Sequence, residues 1–596
     1  MAIDVRDLAT RPLEPIIAEE LDIYERTVTE YLDGRVDEDA FRVFRLNHGV
    51  YGQRQGGHAQ MLRVKVPHGR ITPEQLETLA YISETYSRGW GHLTTRQNVQ
   101  FHFVPLEQTP EVLRLMASVG LTSREACGDT VRNVMGCHLA GACPQEVLDI
   151  TPWAKATTDF LLRHPYAQRL PRKFKINFSG CATDCGQAMF NDVGVVATSR
   201  TLPDGSKEAG FKVFIAGGLS SNPRPAHALE DFTAREELLP TIYAVLRTFD
   251  HYGNRDNKIR ARMKWLLDSM DIDELRRRIF RERKFLRGAR DWPWGIPQHV
   301  LDVGDAPAGG SPEATKVGQA GVPVKLLSRD PFERWQEANV VRGIDRGTVS
   351  AVAYSRLGDI TADQFRGLAD IQRDFAIDVR ITNRQNLALR DLTEADVRPL
   401  YERLVEIGMA DAGAELARDV VSCPGADTCN LAVTQSRGLA GAIGDALDEA
   451  GLAEVPGVRV NISGCTNSCG QHHVSDIGFF GLERRANGRA APGYQMLLGG
   501  HLADTQVQFG EKATKIPAKN AAEATVRVVR RFSEEREAGE EFKTWLARSG
   551  GAKGVGDTLA ELDHFPTPDV GPEFYVDYDE TGPYVAEVGD GECAAT

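Results

Sequence analysis

The sequence predicts an α/β (α+β) protein made of two copies of one plan. Three observations predict it: paired cysteine quartets, a long internal repeat, and short strand-like runs alternating with helix-like ones. Eight of the ten cysteines form the quartets. Cys137 and Cys143 are spaced Cys-x5-Cys, and Cys181 and Cys185 follow after 37 residues as Cys-x3-Cys. Cys423 and Cys429 repeat the first spacing, and Cys465 and Cys469 repeat the second after 35 residues.

The quartets belong to a repeat of about 286 residues. Gly69-Arg70-Ile71-Thr72 returns as Gly358-Asp359-Ile360-Thr361, and Thr95-Arg96-Gln97-Asn98 as Asn383-Arg384-Gln385-Asn386. Arg132-Asn133-Val134 returns as Arg418-Asp419-Val420, and Asn177-Phe178-Ser179-Gly180-Cys181 as Asn461-Ile462-Ser463-Gly464-Cys465. A period this long exceeds that of solenoids and marks a duplicated multi-domain unit. Each half reads strand, helix, strand, with Met61–Val66, Pro73–Ser87 and Gly91–Phe103 in the first half. The cysteine regions follow, with short apolar strands at Phe174–Phe178, Val193–Ala197 and Lys212–Ala216. The small, turn-forming stretch Gly304–Pro323 reads as a linker. The expected organisation is 1–120, 121–303, linker 304–323, 324–410, 411–550 and a tail over 551–596 that extends or wraps. Cys593, in that tail, reads as an exposed thiol.

Composition narrows the function classes. The chain has 596 residues, 42% hydrophobic and 26% charged, ordinary values for a globular protein with a large core. A net charge of −14 argues against a protein that coats nucleic acid. No run of ~20 apolar residues occurs and no apolar signal-peptide stretch opens the chain, so a cytoplasmic protein without membrane attachment is expected. Ten cysteines in such a chain do not suggest a disulfide framework.

Four thiolates can hold zinc or an iron–sulfur cluster, or can be unliganded core cysteines. Structural zinc sites usually pair cysteines two to four residues apart, so the x5 spacing leans toward a [4Fe–4S] cube. The flanking residues are small, as in Pro424-Gly425-Ala426-Asp427-Thr428 and Thr466-Asn467-Ser468, which lets backbone N–H groups approach cluster sulfides. A second set is basic: Arg96, Arg132, and Lys173 and Lys175 in Pro171-Arg172-Lys173-Phe174-Lys175. In extended chain the two lysines share a face. The set reads either as a pocket for a small oxyanion or as a solvated basic edge.

At these residues the chain resembles the siroheme-dependent sulfite and nitrite reductase family, from about Val43 to about Ser533. The most specific stretches are Cys423-Pro-Gly-Ala-Asp-Thr-Cys429 and Gly464-Cys465-Thr-Asn-Ser-Cys469-Gly470. The resemblance implies ferredoxin-like (parachute-type) half-domains and siroheme/Fe–S domains around a pseudo-twofold axis. It implies that Cys423, Cys429, Cys465 and Cys469 bind a [4Fe–4S] cluster and that Cys469 is also the siroheme axial ligand. It places Arg96, Arg132, Lys173 and Lys175 as the catalytic anion-binding set, with Arg63, Arg96, Arg132, Lys173 and Asn467 against the cofactor. Lys at position 175 is the sulfite-type residue, which favours sulfite over nitrite. Gly49-Val50-Tyr51 and Ala126-Cys127-Gly128-Asp129 resemble ferredoxin-dependent bacterial sulfite reductases, in which the matching Tyr and Cys are joined by a thioether; the alternative reading is a half-buried aromatic and a buried thiol.

One feature departs from the assimilatory pattern, which lacks cysteines in the N-terminal half. Cys137, Cys143, Cys181 and Cys185 form a full set, so a second [4Fe–4S] cluster is expected there, as in dissimilatory sulfite reductases. Its pseudo-symmetric anion pocket would use Arg384, Arg418 and Arg459, and is incomplete because Gly457 stands where Lys173 does. No glycine-rich dinucleotide fingerprint follows a strand, so an external donor, ferredoxin, is expected. The run Arg276-Arg277-Arg278 through Arg281, Arg283, Lys284, Arg287 and Arg290 is a docking candidate, or a charged helix face, or a source of contacts to siroheme carboxylates. A monomer or weak oligomer is expected. The rival readings are a nitrite reductase, a non-catalytic electron-transfer subunit and a zinc-stapled scaffold.

Overall fold

The computed structural model describes residue 5 and residues 10–288, 298–301, 328–342 and 347–589. The expected linker Gly304–Pro323, Arg290 and Cys593 lie outside the described residues.

Among the described residues four five-stranded sheets organise the fold, two from each half of the repeat. One runs Val50–Gly52, Ala59–Val64, Val99–Pro105 and Trp90–Leu93, all antiparallel, and ends on Asp359–Thr361 from the second half. Its counterpart runs Val340–Arg342, Val349–Ala353, Leu387–Leu392 and Asp378–Ile381, and ends on Arg70–Ile71 from the first half. Each half therefore covers the other's open edge with a short strand. Both sheets and the helices Pro73–Tyr86 and Ala362–Asp374 share a single hydrophobic core. The two helices begin with matching capping boxes, Thr72 with Gln75 and Thr361 with Gln364, which satisfy otherwise orphaned first-turn N–H groups.

The expected strand Gly91–Phe103 is two strands, Trp90–Leu93 and Val99–Pro105. The Thr94–Asn98 turn divides them, with Gln97 at positive φ (55°) as Gln385 is in the equivalent turn (64°). Each glutamine spans the halves. Gln97 Nε2 donates to Gly136 O (2.9 Å) and Ile381 O (3.0 Å), and Gln385 Nε2 donates to Leu93 O (2.8 Å) and Ser422 O (3.0 Å).

The other two sheets start with parallel strands. Met135–Gly136, Ile176–Ser179 and Val193–Thr201 are parallel, as are Val421–Ser422, Val460–Ser463 and Ile477–Ala486. Parallel neighbours need a crossover, supplied by helices Thr151–Leu161 and Ser436–Glu449. Each cysteine pair begins where a parallel strand ends: Cys137 after Gly136, Cys181 just past Ser179, Cys423 after Ser422, Cys465 just past Ser463. The carboxyl ends of parallel strands are where open α/β sheets bind ligands. Past each x3 pair the chain folds back on its own strand. A Cβ at Gly186 or Gly470 would come within 1.9 Å of Phe178 O or Ile462 O, so glycine is required there.

Candidate active site

The thiols of Cys423, Cys429, Cys465 and Cys469 gather at the ends of two adjacent strands, and all four are free. Burial raises the pKa of Cys423 to about 12, and the neighbouring Cys469 charge adds to the rise; the same two causes raise Cys429 and Cys465. Neutral thiols are thus disfavoured from ionising together unless something positive sits among them. Backbone N–H groups already point at the sulfurs: Gly464 N–H at Cys423 Sγ (3.3 Å), Leu431 and Ala432 at Cys429, Asn467 at Cys465. Among the described residues no three His, Cys, Asp or Glu side chains gather closely enough to share one metal ion.

The basic set comes from the other half and faces this quartet. Thr95 Oγ1 donates to Cys469 O (2.9 Å), seating the Arg96 turn against the last cysteine. Arg96 donates to Asn133 O (2.7 Å) and to the side-chain oxygens of Asn177 and Asn191 (3.3 Å each). Arg132 donates to Ala126 O (2.9 Å) and Gly128 O (2.8 Å). Lys173 and Lys175 flank buried Phe174 and keep some accessible surface, the alternation expected of an extended run. Burial and Arg132 lower Lys173 to about 8, while burial, Arg96 and Arg262 hold Lys175 well below the usual lysine value. The Cys469 charge opposes the shift at both lysines, so the expected axial cysteine and the expected lysines share one space.

Arg63 lies beside this set. Its Nη1 donates to Ala126 O (3.3 Å) and reaches Cys127 Sγ (3.8 Å), and its guanidinium is 5.4 Å from the Tyr51 ring centroid. Tyr51 packs on a small buried cluster of Leu46, Ala126 and Cys127. Asn467 meets Ser220 Oγ across the halves, Oδ1 to Oγ 3.4 Å.

Two cations went unnoticed in the sequence. Arg262 Nη2 donates to Asp192 Oδ2 (2.8 Å), which also accepts from Lys175 N–H (2.9 Å). Buried Lys264 donates to the carbonyls of Gly218, Leu219 and Asn222, and burial together with Arg262 lowers it to about 7. Positions 260, 262 and 264 (Arg, Arg, Lys) carry the same alternation as 173 and 175 and were the available signal. Arg96, Arg132, Lys173, Lys175, Arg262 and Lys264 thus crowd together, and the Asp192 carboxylate beside them partly offsets their charge. Buried like charges repel, so the arrangement suits a polyanion.

The N-terminal quartet is packed differently. Cys143 hydrogen-bonds Cys181 and Cys137 hydrogen-bonds Cys185. Asn383 Nδ2 donates to Cys185 O (2.6 Å), the equivalent of the Thr95–Cys469 contact. Beside this quartet is a cavity of about 290 Å³, lined by His138, Arg384, Glu415, Asp419, Arg459 and His501 among others. The expected second anion set is neutralised there. Arg384 Nε pairs with Asp419 Oδ2 (3.0 Å) and Arg459 Nε with Glu415 Oε2 (2.8 Å). Arg418, expected in the pocket, pairs instead with partly exposed Asp448 (3.2 Å).

The basic run forms the helix Ile272–Arg287 as expected. Most of its arginines are paired within the protein: Arg276 with Asp273, Arg277 and Arg278 with Glu274, Arg283 with Glu230, Arg287 with Glu237. These pairs reduce the charge that the helix presents.

Fold and site together define a redox protein in which sulfur ligands of one half confront a polycationic hollow of the other. The family model described as nitrite and sulphite reductase 4Fe-4S domain matches residues 127–285 and 413–555, and the nitrite/sulfite reductase ferredoxin-like half domain matches 51–119 and 345–407. The chain belongs to this sulfite and nitrite reductase family, whose cofactors are siroheme and a [4Fe–4S] cluster. It is 30% identical over 523 residues, 84% of each chain, to the assimilatory ferredoxin-dependent nitrite reductase of Haloferax mediterranei. It is 29% identical over 498 residues, 82% of each chain, to a sulfite reductase [ferredoxin] of Mycobacterium tuberculosis. The solved structure of Mycobacterium tuberculosis NirA superposes with a TM-score of 0.71 at 28% identity, covering 90% of this chain and 97% of that one. Four free thiols, three of them met by N–H donors, opposite a hollow of crowded cations, fit a cluster and a carboxylate-rich macrocycle. Among the described residues no helix is long and apolar enough to cross a membrane.

Proposed function

We propose that the chain is a cytoplasmic ferredoxin-dependent reductase that takes sulfite to sulfide. Siroheme, when bound, supplies the iron at which an oxyanion is reduced, and the cluster supplies it with electrons. The protein's part is charge, orientation and protons. Arg96 and Arg132 are fixed by carbonyl and amide oxygens, so their guanidinium positions are set before the anion arrives. Lys173, lowered to about 8, can give up a proton near neutral pH, and Lys175, also held below the usual lysine value, lies beside it to hold oxygens that leave as water. Cys423, Cys429, Cys465 and Cys469 would hold the cluster, Cys469 would face the macrocycle, and Arg63 and Asn467 would lie against it.

The observation that carries the choice of sulfite is the pairing of Lys173 with a second lysine, Lys175, on one face beside two arginines, which suits a dianion over a monoanion. Nitrite is the second reading, supported by the Haloferax mediterranei relative, which is named a nitrite reductase. Steady-state kcat/KM for both anions on one preparation, with reduced ferredoxin, tests this: sulfite should exceed nitrite, and the reverse order overturns the reading. Two further parts are proposed. Cys137, Cys143, Cys181 and Cys185 would hold a second [4Fe–4S] cluster, giving iron and labile sulfide near eight per chain beyond the siroheme iron, whereas counts near four would exclude it. Tyr51 and Cys127 would be joined by a thioether; two unmodified tryptic peptides would end that idea.

A further inference from the structure

The loop between Cys423 and Cys429, and the residues just after it, are held from outside by two parts of the chain remote in sequence. The first is the tip of the hairpin joining Val50–Gly52 to Ala59–Val64. Arg54 N–H donates to Thr428 O (3.1 Å), its Nη1 to Ala426 O (3.5 Å) and its Nη2 to Ala432 O (2.5 Å). Gln55 Nε2 donates to Asp427 O (2.5 Å). Four carbonyls around Cys429 are therefore drawn toward one hairpin tip.

The second is the C-terminal arm, residues 572–589, which lies over the same loop. Arg54 Nη2 also donates to Glu587 O (2.7 Å), so one guanidinium ties loop and arm together. Gly589 N–H donates to Asn430 O (3.0 Å), Tyr584 OH donates to Val433 O (3.0 Å), and Asp577 accepts from Gln435 N–H (2.9 Å). The Glu580 carboxylate accepts from the Gln435 side chain (2.8 Å). Every residue from Asn430 to Gln435 except Leu431 and Thr434 is thus bonded to the arm or to Arg54.

Within its own half the loop is held by Ala426 N–H to Thr434 O (3.0 Å), Ser436 Oγ to Cys423 O (2.8 Å) and the Arg437–Asp427 pair (3.3 Å), and the hairpin and arm add the contacts from outside. The loop itself is a short 3₁₀ turn, Gly425–Asp427, and Gly425 sits at positive φ (64°). Short turns of this kind open easily unless tertiary contacts close them. The Arg54 guanidinium is bonded to Ala426 O and Ala432 O, three residues to either side of Cys429, so its positive charge lies beside that ligand.

We propose that Arg54 is a positioning residue for the cluster, clamping the Cys429 loop between the N-terminal half and the C-terminal arm and thereby governing both cluster retention and its potential. This rests on the reading that the C-terminal quartet holds a [4Fe–4S] cluster. The two effects separate by variant. Arg54→Met removes charge and clamp, Arg54→Lys keeps charge but cannot bridge the loop and arm carbonyls together, and a chain ending at Gly571 keeps Arg54 but loses the arm.

The experiment uses the loaded enzyme and reads two quantities: iron release to a ferrous chelator, and the reduced-to-oxidised ratio of the cluster by electron paramagnetic resonance at a fixed applied potential. Arg54→Met should release iron roughly tenfold faster and lower the ratio by up to about tenfold, which is 59 mV for a one-electron couple. Arg54→Lys and the truncated chain should release iron faster while keeping the ratio within about threefold of the parent. If Arg54→Met fails to fold, the Arg54→Lys and truncated chains decide on release alone. Parent-like release and ratio in Arg54→Met, or parent-like release in both other variants, overturns the proposal. Cys423→Ser is the separate control: full iron and an unchanged spectrum there would overturn the cluster reading itself.

Discussion

Arg96 and Arg384 sit in equivalent turns, and each reaches into a pocket facing the other half's cysteines. Arg96 gives its hydrogen bonds to neutral oxygens, those of Asn133, Asn177 and Asn191. Arg384 gives its own to Asp419, side chain and backbone, with Glu415 at 3.5 Å. Asn133 and Asp419 are the same position in the repeat, so one exchange of amide for carboxylate separates a cation available to a ligand from one already neutralised. Lys173 against Gly457, and Lys175 against an Arg459 paired with Glu415, extend the difference. The cysteines follow it: four thiols without hydrogen bonds among themselves face the charged pocket, and two hydrogen-bonded thiol pairs face the neutral one. A duplicated fold has the same frame in both halves, with a crowded cation set in one and carboxylate-paired cations in the other.

The contrast is broken most severely at the cysteines. Cys465→Ser should abolish oxyanion reduction and the coupled visible spectrum, whereas Cys181→Ser should lower iron per chain by about half and leave turnover within roughly tenfold. Iron analysis with steady-state rates checks this, and equal loss in both variants would mean the two centres act as one unit.

Next in size are the cations. Lys175→Met removes a charge at the hollow and should lower kcat by about 10²–10³-fold. Arg459→Met, its counterpart, should change kcat less than about threefold, because that charge is already balanced by Glu415. A smaller effect comes from converting one pocket toward the other. Asn133→Asp places a carboxylate beside Arg96 and should raise the KM for sulfite by about tenfold, with a smaller change in kcat.

Much of this site was legible because its residues form local patterns. The quartets and the Thr95-Arg96-Gln97 turn are written twice, the Lys173/Lys175 alternation is a short period-two pattern written once, and the strands that carry them are short but bounded. What was not legible depends on partners distant in the chain. The exchanged edge strands Arg70–Ile71 and Asp359–Thr361 are two and three residues long, too short to show periodicity. The basic run over Ile272–Arg287 looked free because Glu230 and Glu237, which neutralise Arg283 and Arg287, arrive from another element. Arg54 carries no motif at all; its role comes from carbonyls more than 370 residues away.

The smallest expected effect is on stability, and there the two pockets should oppose each other across the pH scale. In the cofactor-free chain, burial lowers Lys264 to about 7 and Lys173 to about 8, against an ordinary 10.5. Below pH 7 both are protonated whether folded or not, so the fold bears the full cost of burying them charged. Between about 7 and 10.5 the folded chain has released protons that the unfolded chain still holds, so unfolding takes up protons and stability rises with pH. Glu415 behaves oppositely: burial pushes its carboxyl up, but Arg459 and Arg384 overcome this and leave it below the ordinary glutamate value. Its contribution is present above pH 4.5 and is lost as pH falls through the lowered value. Denaturant unfolding of the cofactor-free chain from about pH 2 to about pH 10.5 should show both limbs. Lys264→Met should flatten the alkaline rise and Glu415→Gln the acid fall. With the macrocycle bound the alkaline rise should shrink, since its carboxylates restore the lysines toward their charged form; an unchanged rise would mean that Lys173 and Lys264 do not face it.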